Sequence, residues 1–249
     1  MSYEKLIGEQ FTTKHSGMCT VKSVENLKKI TVQFEDGFET TCTLQHLKEG
    51  SVLNPYHPKI YEVGFIGEGE YLCKINGKIH PYYDAWRGCL RRCYDHKWQD
   101  RFPRYKGCTV YDGWYNYQDF SKWSDQQIFY PGYKLDKDLI VYGNNVYGPE
   151  TCVYLPNELN CIIAERWLDR ALPKGVNKVL DFEKSKKKYT ANCNRVGRGY
   201  TVGYFETVEE AAEFYILTKE NYVKERAMVW KDLISSRAFE ALMVWKVPA

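Results

Sequence analysis

The sequence predicts an α+β protein, and three observations carry that expectation. Short alternating runs separated by turn residues fill the first 68 positions; an amphipathic helical stripe follows; two strand-like runs near residue 195 then lead into a capped helix. Three regions result: a small β-barrel-like module over 1–68, a mixed core over 70–170, and a three-strand-plus-helix module over 171–249 that includes a terminal helix.

In the first region, runs at 11–13, 19–24, 30–34 and 38–44 are bounded by turn residues, and Glu35-Asp36-Gly37 reads as a hairpin turn. Three to five short strands in this length predict a small, strongly curved barrel or sheet. Asn54-Pro55-Tyr56-His57-Pro58 and the glycines at 64, 67 and 69 read as a junction. Beyond it, Trp86, Cys89, Leu90 and Cys93 recur at helical spacing, which buries one face and leaves Arg87, Arg91 and Arg92 mainly outside it. Pro156-Asn157 opens a second helix through Asn160, Ile163 and Trp167. Runs at 188–193 and 200–205 flank a turn containing glycine and arginine. Thr207 with Glu210 three residues on is a capping box for a helix continuing through Ala211, Ala212, Tyr215 and Lys219, and a last helix is expected over 230–245.

Composition narrows the function. Hydrophobic residues at 44% and charged residues at 27% exclude general disorder. Twenty-one Tyr, seven Trp and eleven Phe either fill several small cores or leave some rings exposed for stacking. Nine cysteines, an odd number, follow a start (Met1-Ser2-Tyr3-Glu4) without the features of a secretory leader, so reduced thiols in a cytoplasmic compartment are expected. No apolar run approaches membrane-spanning length, so no membrane partner is expected.

Net charge is only +3, but its distribution is uneven. Residues 1–70 hold seven Lys/Arg against ten Asp/Glu, a net of −3, which suits protein contact better than DNA contact. Residues 74–106 hold nine basic against three acidic residues, a net of +6, and 184–202 hold six basic and no acidic residues. Two concentrated basic segments predict local contact with a polyanion.

The stretch Trp86…Arg92-Cys93-Tyr94, Tyr105-Lys106-Gly107-Cys108-Thr109-Val110-Tyr111-Asp112-Gly113-Trp114, Leu135-Asp136-Lys137-Asp138, Gly143-Asn144, Tyr147, Pro149-Glu150, Cys152 and Asn160 resembles phage HNH-type, homing-endonuclease-like proteins over about a hundred residues. The resemblance implies a degenerate ββα-metal core in a bacterial host cell. It puts Asp136 and Asn160 at the metal-ligand positions, Asp136 and Lys137 at the catalytic ones, and Asn144 as a structural brace of the loop between strands. Mg²⁺ is the cofactor that such oxygen ligands suit. The departure is Lys137, which stands where the family presents the His that activates water; an unperturbed lysine is protonated near neutral pH and accepts no proton. None of His15, His46, His57, His80 and His96 takes that position. Cysteine spacing offers a poor zinc signal; a set of Cys93, Cys108 and Cys152 is conceivable, and buried thiols are the better expectation.

Leu172-Pro173-Lys174-Gly175-Val176, Tyr189-Thr190-Ala191 and the string from Gly203 to Tyr215 are similar to the DNA-binding domain of plant ethylene-response factors over about sixty residues. That resemblance implies a twisted three-stranded sheet in a DNA groove, with Lys186, Lys187, Lys188, Arg195 and Arg198 on the DNA side. Double-stranded DNA is therefore the expected partner, through these residues and Arg87, Arg91 and Arg92. The readings that follow are a metal-dependent nicking or cleaving enzyme, an inactive repressor or blocking factor, and a phage counter-defence protein that uses its N-terminal module on another protein.

Overall fold

A computed structural model describes residues 3–164, 171–179, 187–195 and 198–248 of the protein. Helices and strands are mixed along the chain, as an α+β fold requires. Contacts divide it into two compact units, residues 1–124 and 125–249, so the division falls inside the 70–170 segment. None of the described helices is long and apolar enough to cross a membrane.

The first unit begins with an antiparallel meander of β1 (Gln10–Thr12), β2 (Met18–Asn26), β3 (Lys29–Phe34) and β4 (Glu39–Cys42), ordered as in the chain. Alternation buries Cys19 and Val21 of β2 and Ile30, Val32 and Phe34 of β3. The expected hairpin turn lies between β3 and β4, where the Asp36 carboxylate accepts the Phe38 N–H at 3.0 Å. The barrel-like expectation is corrected: the described strands form an open sheet with β1 and β4 at its edges. Four strands are too few to close, and the chain leaves β4 at Thr43, whose side chain accepts the His46 N–H and caps α1 (Leu44–Glu49). Leu47 of α1 and Val52 cover the sheet face that a barrel would have closed on itself.

The glycine-rich stretch expected to be a junction is packed and fastened. The Asn54 amide donates to Asp36 at 2.7 Å, and its N–H donates to Ser16. Gly64 lies against the following helix: a Cβ there would sit 2.4 Å from Leu90 Cδ1, so no larger residue fits without movement. Buried Gln118 accepts the Tyr71 N–H and donates to the carbonyls of Ile66 and Tyr71. A short hairpin of β5 (Lys74–Ile75) and β6 (Lys78–Ile79) then leads into α2 (Pro81–Tyr94) and α3 (His96–Arg101). The two-residue strand β7 (Thr109–Val110) and α4 (Tyr117–Asp125) follow. Much of the aromatic excess fills this core. Trp86, Trp114, Tyr117 and Phe120 are fully buried, and the Trp86 indole donates to the Trp114 carbonyl at 2.6 Å.

In the second unit, β8 (Lys134–Asp136) pairs antiparallel with β10 (Val153–Leu155), with β9 (Val146–Tyr147) in the connection and α5 (Asn157–Ile163) immediately after. A three-stranded antiparallel sheet of β11 (Val176–Lys178), β12 (Tyr189–Arg195) and β13 (Arg198–Phe205) precedes α6 (Val208–Trp230). The capping box of Thr207 and Glu210 is present in full. Helix α6 runs on to Trp230, and α7 (Ser236–Val244) starts only where Ser235 caps it, so the terminal helix is shorter than 230–245.

Helix α6 is shared by two cores. Its first half packs Tyr215 against Ala191 and Cys193 of the sheet; its second half packs Val223 and Ala227 with Val153, Leu155, Leu159 and the α7 residues Ala238 and Leu242. Glu158 of α5 reinforces the second core, accepting from Arg226 at 2.5 and 3.1 Å and from the Trp230 indole at 3.2 Å. Close approach also fixes Gly175, where a Cβ would lie 2.1 Å from the Tyr215 ring.

Candidate nucleic-acid interface

The basic segment 74–106 is organised by α2 and α3. His80 caps α2, its Nδ1 accepting the Tyr82 N–H at 3.2 Å, and Pro81 supplies a first-turn residue with no N–H to satisfy. Trp86, Cys89, Leu90 and Cys93 face the core, as their spacing predicts. At the other end, buried Gln99 donates to the carbonyls of Cys93 at 2.6 Å and Arg92 at 3.2 Å, and Asp95 accepts the Trp98 N–H to start α3. This sharp turn folds α3 and the following 3-10 turn (Pro103–Tyr105) back beside the arginines.

Each of the five arginines in the segment lies near an aromatic ring. The guanidinium carbons sit 6.0 Å from the Tyr83 centroid for Arg87, 4.0 Å from Trp98 for Arg91 and 5.9 Å from Tyr105 for Arg92. Arg101 is 5.3 Å from the Phe102 centroid and Arg104 4.9 Å from Tyr105. Tyr105 thus serves two guanidiniums, and the Arg91 Nε is buried with no hydrogen-bond partner among the described residues, which leaves the terminal nitrogens of that guanidinium as its donors to a ligand. A guanidinium held on a ring has fewer rotamers to lose when it meets a phosphate, and it keeps its planar donor edge. Arg101 and Arg104, with Tyr105 and Trp98, are not among the residues that the sequence singled out for DNA, although the basic run 74–106 in which they lie was marked for polyanion contact.

Around Asp136, Lys137 and Asn144, singled out from the sequence, the geometry is specific. Asp136 ends β8, and its Oδ1 accepts the N–H groups of Asp138 at 2.9 Å and Leu139 at 2.8 Å. Burial pushes its carboxyl above the usual range, and the neighbouring Asp138 adds to this; the two backbone donors and Lys137 act the other way. Lys137 is buried, at 7% exposure. Its ammonium donates to Asp138 at 2.6 Å and to the Asn144 carbonyl, and it lies 5.9 Å from the Tyr147 ring centroid. The Asn144 amide donates to the carbonyls of Lys137 at 3.0 Å and Val146 at 2.6 Å and accepts the Val146 N–H. Lys137 and Asn144 together tie the start of the loop to its end. Asn160 lies on α5, with its backbone N–H donating to Pro156.

Of the oxygens that the resemblance offers a hard cation, Asp136 Oδ1 already accepts two backbone N–H groups and the adjacent carboxylate of Asp138 is engaged by Lys137. With these carboxylates engaged and a lysine ammonium held between Asp138 and the Asn144 carbonyl, the residues fit a resident Mg²⁺ poorly. Among the described residues no group of three or more His, Cys, Asp or Glu is placed to hold a metal. Cys89, Cys93, Cys108 and Cys152 are buried, and burial pushes the Cys89 thiol up to about 12. His80 caps a helix, and His96 is exposed on the first turn of α3.

On the three-stranded sheet, Lys187 and Lys188 are exposed just before β12, as are Tyr200 and Tyr204 on β13. Lys186 and the side chains of Arg195 and Arg198 lie outside the described residues. Val176, Ala191 and Cys193 are buried. Buried Lys219 on α6 has its pKa lowered by burial, with Lys174 adding to the effect and Cys193 opposing it. Comparison with family models, with curated proteins and with solved structures yields no match.

Proposed function

We propose that this chain is a duplex-DNA-binding protein on an HNH-like scaffold, and that its hairpin-helix element is a folding scaffold with its own internal cation. The observation that carries the reading is the set of five arginines placed near rings along α2, α3 and the turn after them. In this role the guanidiniums hold phosphates, an interaction that is independent of sequence and weakens with salt. Sequence is read by the β11–β13 sheet, whose size suits a major groove and whose exposed tyrosines and lysines offer stacking and backbone contacts.

What favours binding over cutting is the state of Lys137. An ammonium already donating to Asp138 and the Asn144 carbonyl is not placed to take a proton from water. A second reading, residual nicking, is favoured by the place of Asp136 at the strand end, where the family resemblance puts a metal ligand.

The test is fluorescence anisotropy of the full chain on a labelled mixed-sequence duplex. Arg91→Ala with Arg92→Ala is expected to weaken binding at least about tenfold and to flatten the salt dependence by about two phosphate contacts. Unchanged affinity overturns the assignment. Incubation of a supercoiled plasmid with Mg²⁺ or Mn²⁺ is expected to leave it intact; nicking by wild type and not by Asp136→Ala would establish the enzyme instead.

A further inference from the structure

The hairpin before α2 carries an unusual surface. Its turn is Asn76-Gly77, both at positive φ (50° and 75°), the conformation of a tight two-residue hairpin loop. The pairs are Lys74 with Ile79 and Ile75 with Lys78, and the His80 N–H continues the ladder to the Cys73 carbonyl at 2.9 Å. Residues directly opposite each other point to the same side, and successive ones to opposite sides. Each side of the ribbon therefore presents one isoleucine and one lysine.

All four strand residues are exposed, Ile75 at 49% and Ile79 at 46%, and Leu72 just before them at 60%. A two-stranded ribbon is marginal alone, and these isoleucines do not contribute to the core that would steady it. Isoleucines left half-exposed and paired with cations on both sides suit an apolar and anionic partner. The hairpin is joined to the arginine surface because it runs directly into the His80 cap of α2, a helix about 21 Å long, roughly six base pairs of duplex.

We infer that the 74–79 hairpin is a second DNA-contact element, inserting as a β-ribbon into a major groove. The side turned to the groove floor brings its one isoleucine onto thymine methyl groups, and the long side chains of Lys74 and Lys78 reach phosphates on the groove walls. A major groove about 12 Å wide admits a two-stranded ribbon, and the thymine methyl is its one apolar feature. This inference rests on the DNA-binding reading above and extends it to a groove contact made by an element outside both basic helices and the C-terminal sheet.

The experiment uses the full chain and two 24-base-pair duplexes of alternating A·T, one with thymine and one with uracil in its place. Wild type is expected to prefer the thymine duplex by about threefold, and Ile75→Ala with Ile79→Ala to lose about tenfold on thymine and to show no preference. Lys74→Ala with Lys78→Ala is expected to keep the preference and lower the salt slope by about two. The exposed positions predict unchanged melting temperatures for both variants. Equal binding of both duplexes by wild type, or hairpin variants that bind as wild type does, overturns the proposal; the second result points to a protein as the hairpin's partner. If those results come with loss of binding in the Arg91/Arg92 variant, the DNA-binding reading stands without the hairpin. If wild type binds neither duplex, both fall.

Discussion

Replacing Lys137 with Met keeps the buried stem and removes the ammonium, which isolates its role. The charged hydrogen bond to Asp138 at 2.6 Å and the bond to the Asn144 carbonyl are both lost. A hydrogen bond from a charged group contributes about 1.5–3 kcal/mol, and the Asp138 side chain, 54% exposed, is largely rehydrated when its partner leaves. The net loss is therefore about 2 kcal/mol, or roughly 6 °C in melting temperature for a unit of this size. Urea unfolding followed by tryptophan fluorescence measures it. A cycle with Asp138→Asn is expected to show a coupling of about 1 kcal/mol, and DNA affinity should stay within about twofold of wild type. A loss below about 0.5 kcal/mol with no coupling would refute the role of Lys137 as an internal cation.

Three further outcomes follow from the geometry. Gly64→Ala forces a methyl against Leu90 and should destabilise the first unit by about 1–3 kcal/mol in the same urea assay. Asp136→Asn keeps an oxygen for the Asp138 and Leu139 N–H groups while removing a charge that burial disfavours. Because the folded carboxyl is raised, its contribution is full below the ordinary value near 3.9 and is lost as pH rises through the folded value. The variant should then gain on wild type as pH rises above about 4, a gain absent from urea titrations if the carboxyl were not raised. Finally, Cys161 is exposed while Cys89 is buried with its thiol pushed up to about 12, so iodoacetamide at pH 8 should label Cys161 and spare Cys89 in the native protein, as read by peptide mass.

Local patterns in the sequence carried far into the structure. The Glu35-Asp36-Gly37 turn, the buried stripe of Trp86, Cys89, Leu90 and Cys93, and the Thr207–Glu210 box each depend on neighbours within a few positions, and each is visible in the chain. What long-range packing decides was not legible. Whether the first sheet closes depends on where Leu47 and Val52 settle, and the glycines at 64 and 175 are needed for close approach to Leu90 and Tyr215. The sharing of α6 between two cores came from residues about twenty to ninety positions apart in the chain, such as Tyr215 with Ala191 and Val223 with Val153. At the candidate site, the arginines were visible as charge but their rings were not, because Tyr105 and Trp98 meet them only once Gln99 turns the chain after α2. The sequence singled out Lys137 only through a resemblance; its cradle in Asp138 and the Asn144 carbonyl was not legible.

The most direct test of the account is the affinity of the wild-type chain for a mixed-sequence duplex, measured by anisotropy between 50 and about 200 mM salt. Five placed arginines predict binding whose log–log slope is about −4 or steeper, with the DNA recovered intact in Mg²⁺. Absence of binding at the lowest salt, or binding whose slope is close to zero, would contradict it.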